Sequence, residues 1–528
     1  MKPLDVGALK DGLRKLHTRL TEDLVQRADQ PRVVRALRAT FERATKDRRT
    51  GEDFALWRRH FAAQVASAWI LSTLFVRVLE DRGFLPRRRL AGEGDAGRAA
   101  REARDTLGEL APHLGAREFI LLVFQELMTF DAVAPLFDPA HNLAWRLAPS
   151  EALAQDLIAF WETPEPDDAE RLRFAFDRER SPTTRFLGDV YEELDPDAKK
   201  RFALLQTPDF VESFILDRTL TPALATFGLG TPEDPIRLID PTCGSGHFLL
   251  GAFHRLVREW EKAAPAAGPR EWATRALRSV AGVDLNPYAT AIARFRLVLA
   301  SFEAAGVTSL TGAPTFAPNV ATADALLGGL DAPNTGKEIQ TEFGGGTWTG
   351  SALFEFENPA EVQRILGRRY HAVVGNPPYI TPKDPTVAAE YRRLYSSCHM
   401  KYALVVPFVQ RFFELGVRGG FVGAIVANSF MKREFGVKLV ENFLPTIDLT
   451  AVYDTSVAFI PGHGTPTLIL VGANQRRTRD VVRVAMGKRG EPTRPEDPSR
   501  GLVWTTIASR ADDVGFENDF LSGRNRRK

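Results

Sequence analysis

Between residues 236 and 300 the chain twice repeats one plan: a short apolar run, an acid, a tight turn and a long amphipathic segment. "IRLIDPTCGSGHFLLGAFHRLV" is the first copy and "VAGVDLNPYATAIARFRLVLA" the second. More apolar runs follow in "NVATADALL", "HAVVGNPPY" and "GGFVGAIVANSF", with the helical pattern "YALVVPFVQRFFELG" between the last two. Strands that alternate with helices pair in parallel, because the helix carries the chain back to the starting end of the sheet. The expected fold is therefore a doubly wound α/β sheet. Ligands on such sheets bind beyond the carboxyl ends of the strands. The unusual residues collect there: Asp240, Gly244, Gly246, Asp284, Asp324 and Asn376.

Residues before this region have another texture. "EDFALWRRHFAAQVASAWILSTLFVRVLEDRGF" and "LIAFWETPEPDDAERLRFAF" space apolar residues by three and four, which predicts helices. A chain of 528 residues exceeds one core. The expected division is a helical domain over 1–195, a catalytic domain over 196–475 with a Gly-rich insertion at 328–358, and over 476–528 a basic tail or the start of a target-recognition region. That tail carries 13 Lys/Arg against 8 Asp/Glu from Arg476 onward, a local net of +5, while the whole chain stands at only +2. Two cysteines, Cys243 and Cys398, cannot build a disulfide framework or a cysteine-rich zinc site. No metal is expected. The apolar stretches "AWILSTLFVRVL" and "FILLVFQELM" read as too short or too interrupted by charge to span a bilayer, and "MKPLDVGALKDGLRKLH" has no apolar signal core. A reducing cytoplasm and no membrane partner are expected.

The first turn, "DPTCGSGHF", brings backbone close to a ligand through Gly244 and Gly246. A dinucleotide fingerprint wants an acid about 20 residues beyond its glycines. Here the next strand-end acid, Asp284, lies 38 residues past Gly246. An acid at the end of a second strand can take both hydroxyls of a ribose, and Asp324, after a third, can accept from an adenine amine. A nucleoside with a zwitterionic tail suits this set. Each acid taken singly could equally cap a helix; three in succession on one sheet edge favour the ligand reading. Cys243, His247 and His463 read as packing residues. "HAVVGNPPYI" ends a buried strand in two prolines, which fix φ and remove donors, beside an amide and an aromatic ring.

"DPTCGSGHF", "GVDLNP", "ATADAL" and "GNPPY" stand in the order found in S-adenosylmethionine-dependent DNA adenine-N6 methyltransferases, which this chain resembles. "TPDFVESFIL" at 207–216 and "FIPGHGTPTLIL" at 459–470 resemble the early and late motifs of their gamma class, which includes type I modification subunits and type IIG enzymes. "FVRVLEDRGF" and "FIPGHGTPT" narrow the resemblance to the PglX-like methyltransferases of BREX phage-exclusion systems, type 2 branch. The resemblance implies a Rossmann-like methyltransferase sheet. It assigns the methionine part of the cofactor to Thr207 and the Asp240–Gly246 turn, the ribose to Asp284 and the adenine amine to Asp324. Asn376 and the Pro377 carbonyl would accept from the amine of a flipped-out adenine. Pro378 would keep that loop rigid, and Tyr379 and Phe459 would stack on the base. Double-stranded DNA is the implied substrate.

About 55 residues follow "TLILVG", too few for the family's target-recognition domain, so that domain or a partner subunit is expected elsewhere, with other defence proteins as possible associates. A protein-glutamine N5-methyltransferase uses the same Asn-Pro-Pro-Tyr chemistry and is the nearest alternative. The upstream helical region and "TPDF" disfavour it. RNA base methylation finds no separate RNA module, and a scaffold silent without partners remains the non-enzymatic alternative. The sequence has no Glu-x-Lys tripeptide, against a nuclease of the common carboxylate type.

Overall fold

The computed structural model describes residues 2–46, 52–139, 142–197, 199, 206–328, 359–462 and 464–527. The expected insertion, from 329 onward, and His463 lie outside the described residues. The chain divides into two compact units. The first takes in the described residues of Met1–Arg201 and Arg294–Ala317, the second those of Phe202–Ala293 and the described chain from Pro318 onward. A contiguous break near residue 195 does not anticipate the return of 294–317 to the first unit. The reason is apolar: Phe295 stacks on Phe75 at 4.2 Å between centroids, and Phe302 sits 5.3 Å from Phe84.

The first unit is mainly helical. Asp5 caps helix Val6–Arg27 by accepting from the Ala8 amide at 2.9 Å, and Asp53 caps helix Phe54–Asp81 in the same way through Leu56. Helix Phe54–Asp81 is 28 residues long and apolar enough to cross a bilayer by length and composition, which the sequence reading of shorter stretches did not anticipate. It is the core helix of this unit, with 94% of its most apolar window buried. Its last turns bury a charged knot. Arg77, fully buried, donates to Glu80 at 2.7 Å, to both oxygens of Asp81 at 2.9 and 2.7 Å, and to the Ala91 carbonyl at 2.6 Å. Glu80 in turn accepts from the Leu90 amide and Asp81 from the Phe176 amide. The "VRVLED" segment thus ties three stretches of chain together. Removing one partner of a buried pair strands the other charge. Arg77→Ala is expected to lower unfolding stability by about 3–5 kcal/mol, read from the midpoint of chemical denaturation.

Residues 164–172, where the prolines near 163–168 read as a loop within an otherwise helical pattern, form a two-stranded antiparallel hairpin of β1 (Pro164–Glu165) and β2 (Asp168–Leu172). The sequence Thr-Pro-Glu-Pro explains the break, because two prolines in three residues deny a helix its donors.

The second unit is built on a nine-stranded sheet in the order β5-β4-β3-β6-β7-β9-β8-β10-β11. The strands are β3 (Leu238–Asp240), β4 (Val280–Asp284), β5 (Asn319–Thr322), β6 (Tyr370–Gly375), β7 (Gly416–Ala427), β8 (Asp448–Asp454), β9 (Thr467–Ala473), β10 (Val481–Gly487) and β11 (Leu521–Arg527). Strands β5 through β7 are mutually parallel, and β8 pairs in parallel with β10. Among the described strands, only β9 and β11 run against their neighbours. The chain steps outward from β3 to β4 and β5, then returns to the other flank of β3 with β6. The reversal between β3 and β6 opens a crevice at their carboxyl ends. Helix His247–Ala263 packs on β3 and β4, and helix Val405–Leu415 on β6 and β7.

The sheet runs past residue 475, the expected end of the catalytic domain. "VVRVAMG" supplies β-branched residues for β10, and the basic run "LSGRNRR" forms the edge strand β11. Charged side chains on an edge strand discourage further pairing.

Candidate active site

Strand β3 ends at Asp240, only 1% exposed. Its carboxylate accepts from the Thr242 amide at 2.9 Å and the Thr242 hydroxyl at 3.1 Å, folding the following turn back on the strand end. Gly244 and Gly246 have φ of 51° and 86°, backbone that disfavours L side chains. At Gly246 a Cβ would also meet Ala293 at 3.0 Å, so glycine is required twice over. The Gly244 amide donates to Asp284 at the end of β4, at 2.9 Å. The other Asp284 oxygen takes the Asn286 amide at 2.8 Å, which starts helix Pro287–Ala305. Cys243 is buried in this turn beside Gly282, and His247, buried too, opens helix His247–Ala263 with Ser245 Oγ 3.4 Å from its Nδ1.

Strand β6 delivers the other half of the site. A Cβ on Gly375 would fall 2.7 Å from Asp240 Oδ1 and 2.8 Å from both Thr242 Oγ1 and the Phe412 ring. Glycine therefore lets the carboxyl end of β6 close directly on the end of β3. The next residue is Asn376. Its amide nitrogen donates to Thr207 Oγ1 at 3.3 Å, and its amide oxygen accepts from the Tyr379 hydroxyl at 2.7 Å. One small volume thus brings together Thr207, Asp240, Gly375, Asn376 and Tyr379. Burial holds the Tyr379 phenol far above its ordinary range, so it stays a neutral donor. An amide oxygen has two lone pairs and can accept two donors at once. Pro377 is buried and Pro378 half-buried.

Asp324, two residues beyond β5, accepts from the Leu326 amide at 2.9 Å and from the Tyr391 hydroxyl. Tyr395, one turn after Tyr391, donates to the Leu326 carbonyl at 2.6 Å. Helix Pro385–Leu394, which follows the Asn-Pro-Pro-Tyr loop, is thereby bonded to the turn bearing the third acid. Sequence reasoning missed both tyrosines; their only signal is four-residue spacing, which resembles an ordinary helix face. Phe459 lies in the connection from β8 to β9, with the Arg494 guanidinium 4.9 Å from its ring centre. The Asn428 amide at the end of β7 bonds Pro466 at 3.0 Å, which ties that connection to the same sheet edge.

The acids are electrostatically unusual. Burial pushes Asp240 up to about 8, partly offset by its Thr242 bonds and reinforced by Asp284 nearby. Asp284 is pushed up to about 6 by burial, opposed by the Asn286 and Gly244 amides. Asp324 is raised by burial, opposed first by the Tyr391 hydroxyl. Buried carboxylates of this kind favour a ligand that brings a positive charge or hydrogen-bond donors.

Comparison with known proteins accords with this geometry. Residues 278–457 match the family described as Eco57I restriction-modification methylase, and residues 233–320 that described as MmeI, DNA-methyltransferase domain. The adenine-specific methyltransferase PglX of Streptomyces coelicolor is 42% identical over 511 residues, covering 92% of this chain and 41% of PglX. The chain is similar in sequence to PglX over most of its own length. The type II methyltransferase M.PaeR7I of Pseudomonas aeruginosa is 27% identical over 230 residues, 43% of this chain and 32% of that protein. The chain thus spans less than half the length of these relatives. Among solved structures, a DrdV–DNA complex superposes with a TM-score of 0.54 at 14% identity, covering 91% of this chain and 42% of that one. A nuclease-deletion mutant of the type ISP restriction-modification enzyme LlaGI, bound to a DNA substrate mimic, reaches 0.50 at 12% identity, covering 90% and 35%. These two likenesses concern the fold. The PglX relative and the two family matches concern the sequence, and they cover the turns at Asp240, Asp284 and Asn376.

Proposed function

We propose that this chain is the catalytic part of an S-adenosylmethionine-dependent DNA methyltransferase that methylates the N6 amine of a flipped-out adenine, within a longer phage-defence or restriction-modification protein of the cytoplasm. The observation that carries the reading is the closure of β6 on β3 at Gly375, which sets the Asn376 acceptor beside the buried acid and glycine turn. On this reading the sheet is Rossmann-like, 1–195 is a helical domain, and 196–475 holds the catalytic core. DNA is the partner, with a recognition domain or subunit outside this chain.

The cofactor fits the residues. Gly244, where an added Cβ would meet nothing within 4 Å, leaves room for close backbone approach. Thr207 and Asp240 would hold the methionine end, Asp284 the ribose hydroxyls and Asp324 the adenine amine. The bound cofactor supplies an electrophilic methyl group. The rest is done by the protein. An adenine amine is a poor nucleophile because its lone pair is delocalised into the ring. The Asn376 oxygen and the Pro377 carbonyl, accepting from its two protons, favour the pyramidal form and fix the direction of the lone pair. The two prolines hold these acceptors rigidly, so the contribution is positioning plus preorganised electrostatics. The target nitrogen is out of reach inside a duplex, so the base must leave the stack. Stacking on Tyr379 and Phe459, at about 1–3 kcal/mol per base, offsets part of that cost.

Modified-base sequencing of DNA from cells with and without the full-length protein tests the reading. N6-methyladenine at a defined motif only in the first supports it. Identical adenine modification in both overturns it.

A further inference from the structure

Away from the catalytic edge, a cavity of about 440 Å³ opens on the sheet in the β9-β8-β10-β11 region. Arg218, Arg479 and Arg483 line it with Tyr453, Asp512 and Asn525. Its charges do not cancel. Asp512, the single acid in the wall, is shared by Arg218 at 2.6 Å and Arg483 at 3.1 Å, and it also accepts from the Tyr453 hydroxyl at 2.7 Å. Three guanidinium groups face one carboxylate. Arg479 makes no hydrogen bond or ion pair among the described residues. Arg483 keeps its Nε shielded from solvent with no acceptor among them. Arg218 is fixed in place, with its guanidinium 3.5 Å from the Phe214 ring centre and its Nε donating to Tyr453 at 3.0 Å.

A preorganised cation pair with an unmet donor calls for an oxyanion, and the planar guanidinium fork matches phosphate geometry. We propose that this cavity binds a phosphate group, and that the phosphate belongs to a nucleic-acid backbone. The β9–β10 turn argues for an extended polyanion over a small free anion. It adds Arg476 beside Arg479, and Arg477, which is paired with Asp480 at 3.1 Å, so the turn carries a net positive charge next to the cavity. The choice of duplex DNA as the probe rests on the proposed function; the cavity itself does not.

The test measures binding of a short labelled duplex to the full chain across a range of sodium chloride, for native protein, Arg479→Ala and Arg479→Lys. Each lost phosphate contact reduces the slope of log affinity against log salt by about 1. Arg479→Ala is expected to show that reduction, and Arg479→Lys to recover most of the slope. In parallel, thermal unfolding is followed with inorganic phosphate or adenosine monophosphate. If these stabilise the native chain but not Arg479→Ala, while the DNA slopes agree, the cavity takes free phosphate and the nucleic-acid assignment is overturned. A native chain that does not bind the duplex overturns that assignment too. Equal slopes with no phosphate response overturn the site altogether. Asn376→Ala separates the two readings: it should lose methyl transfer while keeping the native salt slope.

Discussion

Replacing Asn376 by alanine is expected to lower the rate of methyl transfer by about 10²–10³-fold, the loss seen when one preorganised hydrogen-bonding group is removed from a reacting centre. Cofactor affinity should change far less than the rate, because Asp240, Asp284 and Asp324 keep their own partners and only Thr207 loses a contact, the Asn376 donor. The variant loses the acceptor of the Tyr379 hydroxyl and the donor to Thr207, while the rigid Pro377-Pro378 backbone stays. Asn376→Asp, which keeps an acceptor oxygen, should retain partial activity. Turnover measured beside calorimetric binding of S-adenosylhomocysteine decides the point. Full activity in Asn376→Ala would remove the amide from the mechanism.

The second large effect concerns pH. With its carboxyl pushed up to about 8, Asp240 is mostly protonated in the free protein at pH 6 and must lose that proton to pair with a cationic methionine end. Affinity for the cofactor should therefore rise about tenfold per pH unit below 8 and level off above it. Calorimetry in two buffers of different ionisation enthalpy should register release of the proton. Asp240→Asn should flatten the profile. Stability follows the same linkage. A carboxyl whose folded value lies above its unfolded one contributes stability that is present below about 4 and lost as the pH rises through about 8. Ligand-free Asp240→Asn should consequently gain on the native chain at pH 9 and match it at pH 4, as read from unfolding midpoints. A native affinity that is flat between pH 6 and 8 would rule out titration of Asp240 on binding.

The catalytic edge was legible in the sequence because its determinants are local. An apolar run, an acid and a glycine turn define a strand end within ten residues, so Asp240, Asp284 and Asn376 could be set on one sheet before any pairing was known. What escaped was set by tertiary partners. Tyr391 and Tyr395 have the spacing of an ordinary helix face, and only the packing of helix Pro385–Leu394 beside the turn after β5 shows their hydroxyls on Asp324 and Leu326. The arginines of β11 read as a solvated tail because an edge strand, paired on one side, needs little apolar alternation. The prolines near 163–168 marked a break, but the strand Asp168–Leu172 was masked by Glu, Ala and Leu, all good helix formers.

Helix Pro287–Ala305 carries a consequence for anyone who would move this module between proteins. Ala293 backs Gly246 in the glycine turn after β3, whereas Phe295 and Phe302, further along the helix, complete the apolar core around Phe75 and Phe84. The chain crosses from one unit to the other at 201, at 293 and again at 317. A gene fragment cut near residue 201 encodes neither unit whole: the upstream piece lacks two of its core phenylalanines, and the downstream piece displays them to water. Recombination or swapping of the catalytic half alone would therefore yield sticky, half-built products, and exchange between relatives has to carry both units as a single inheritance.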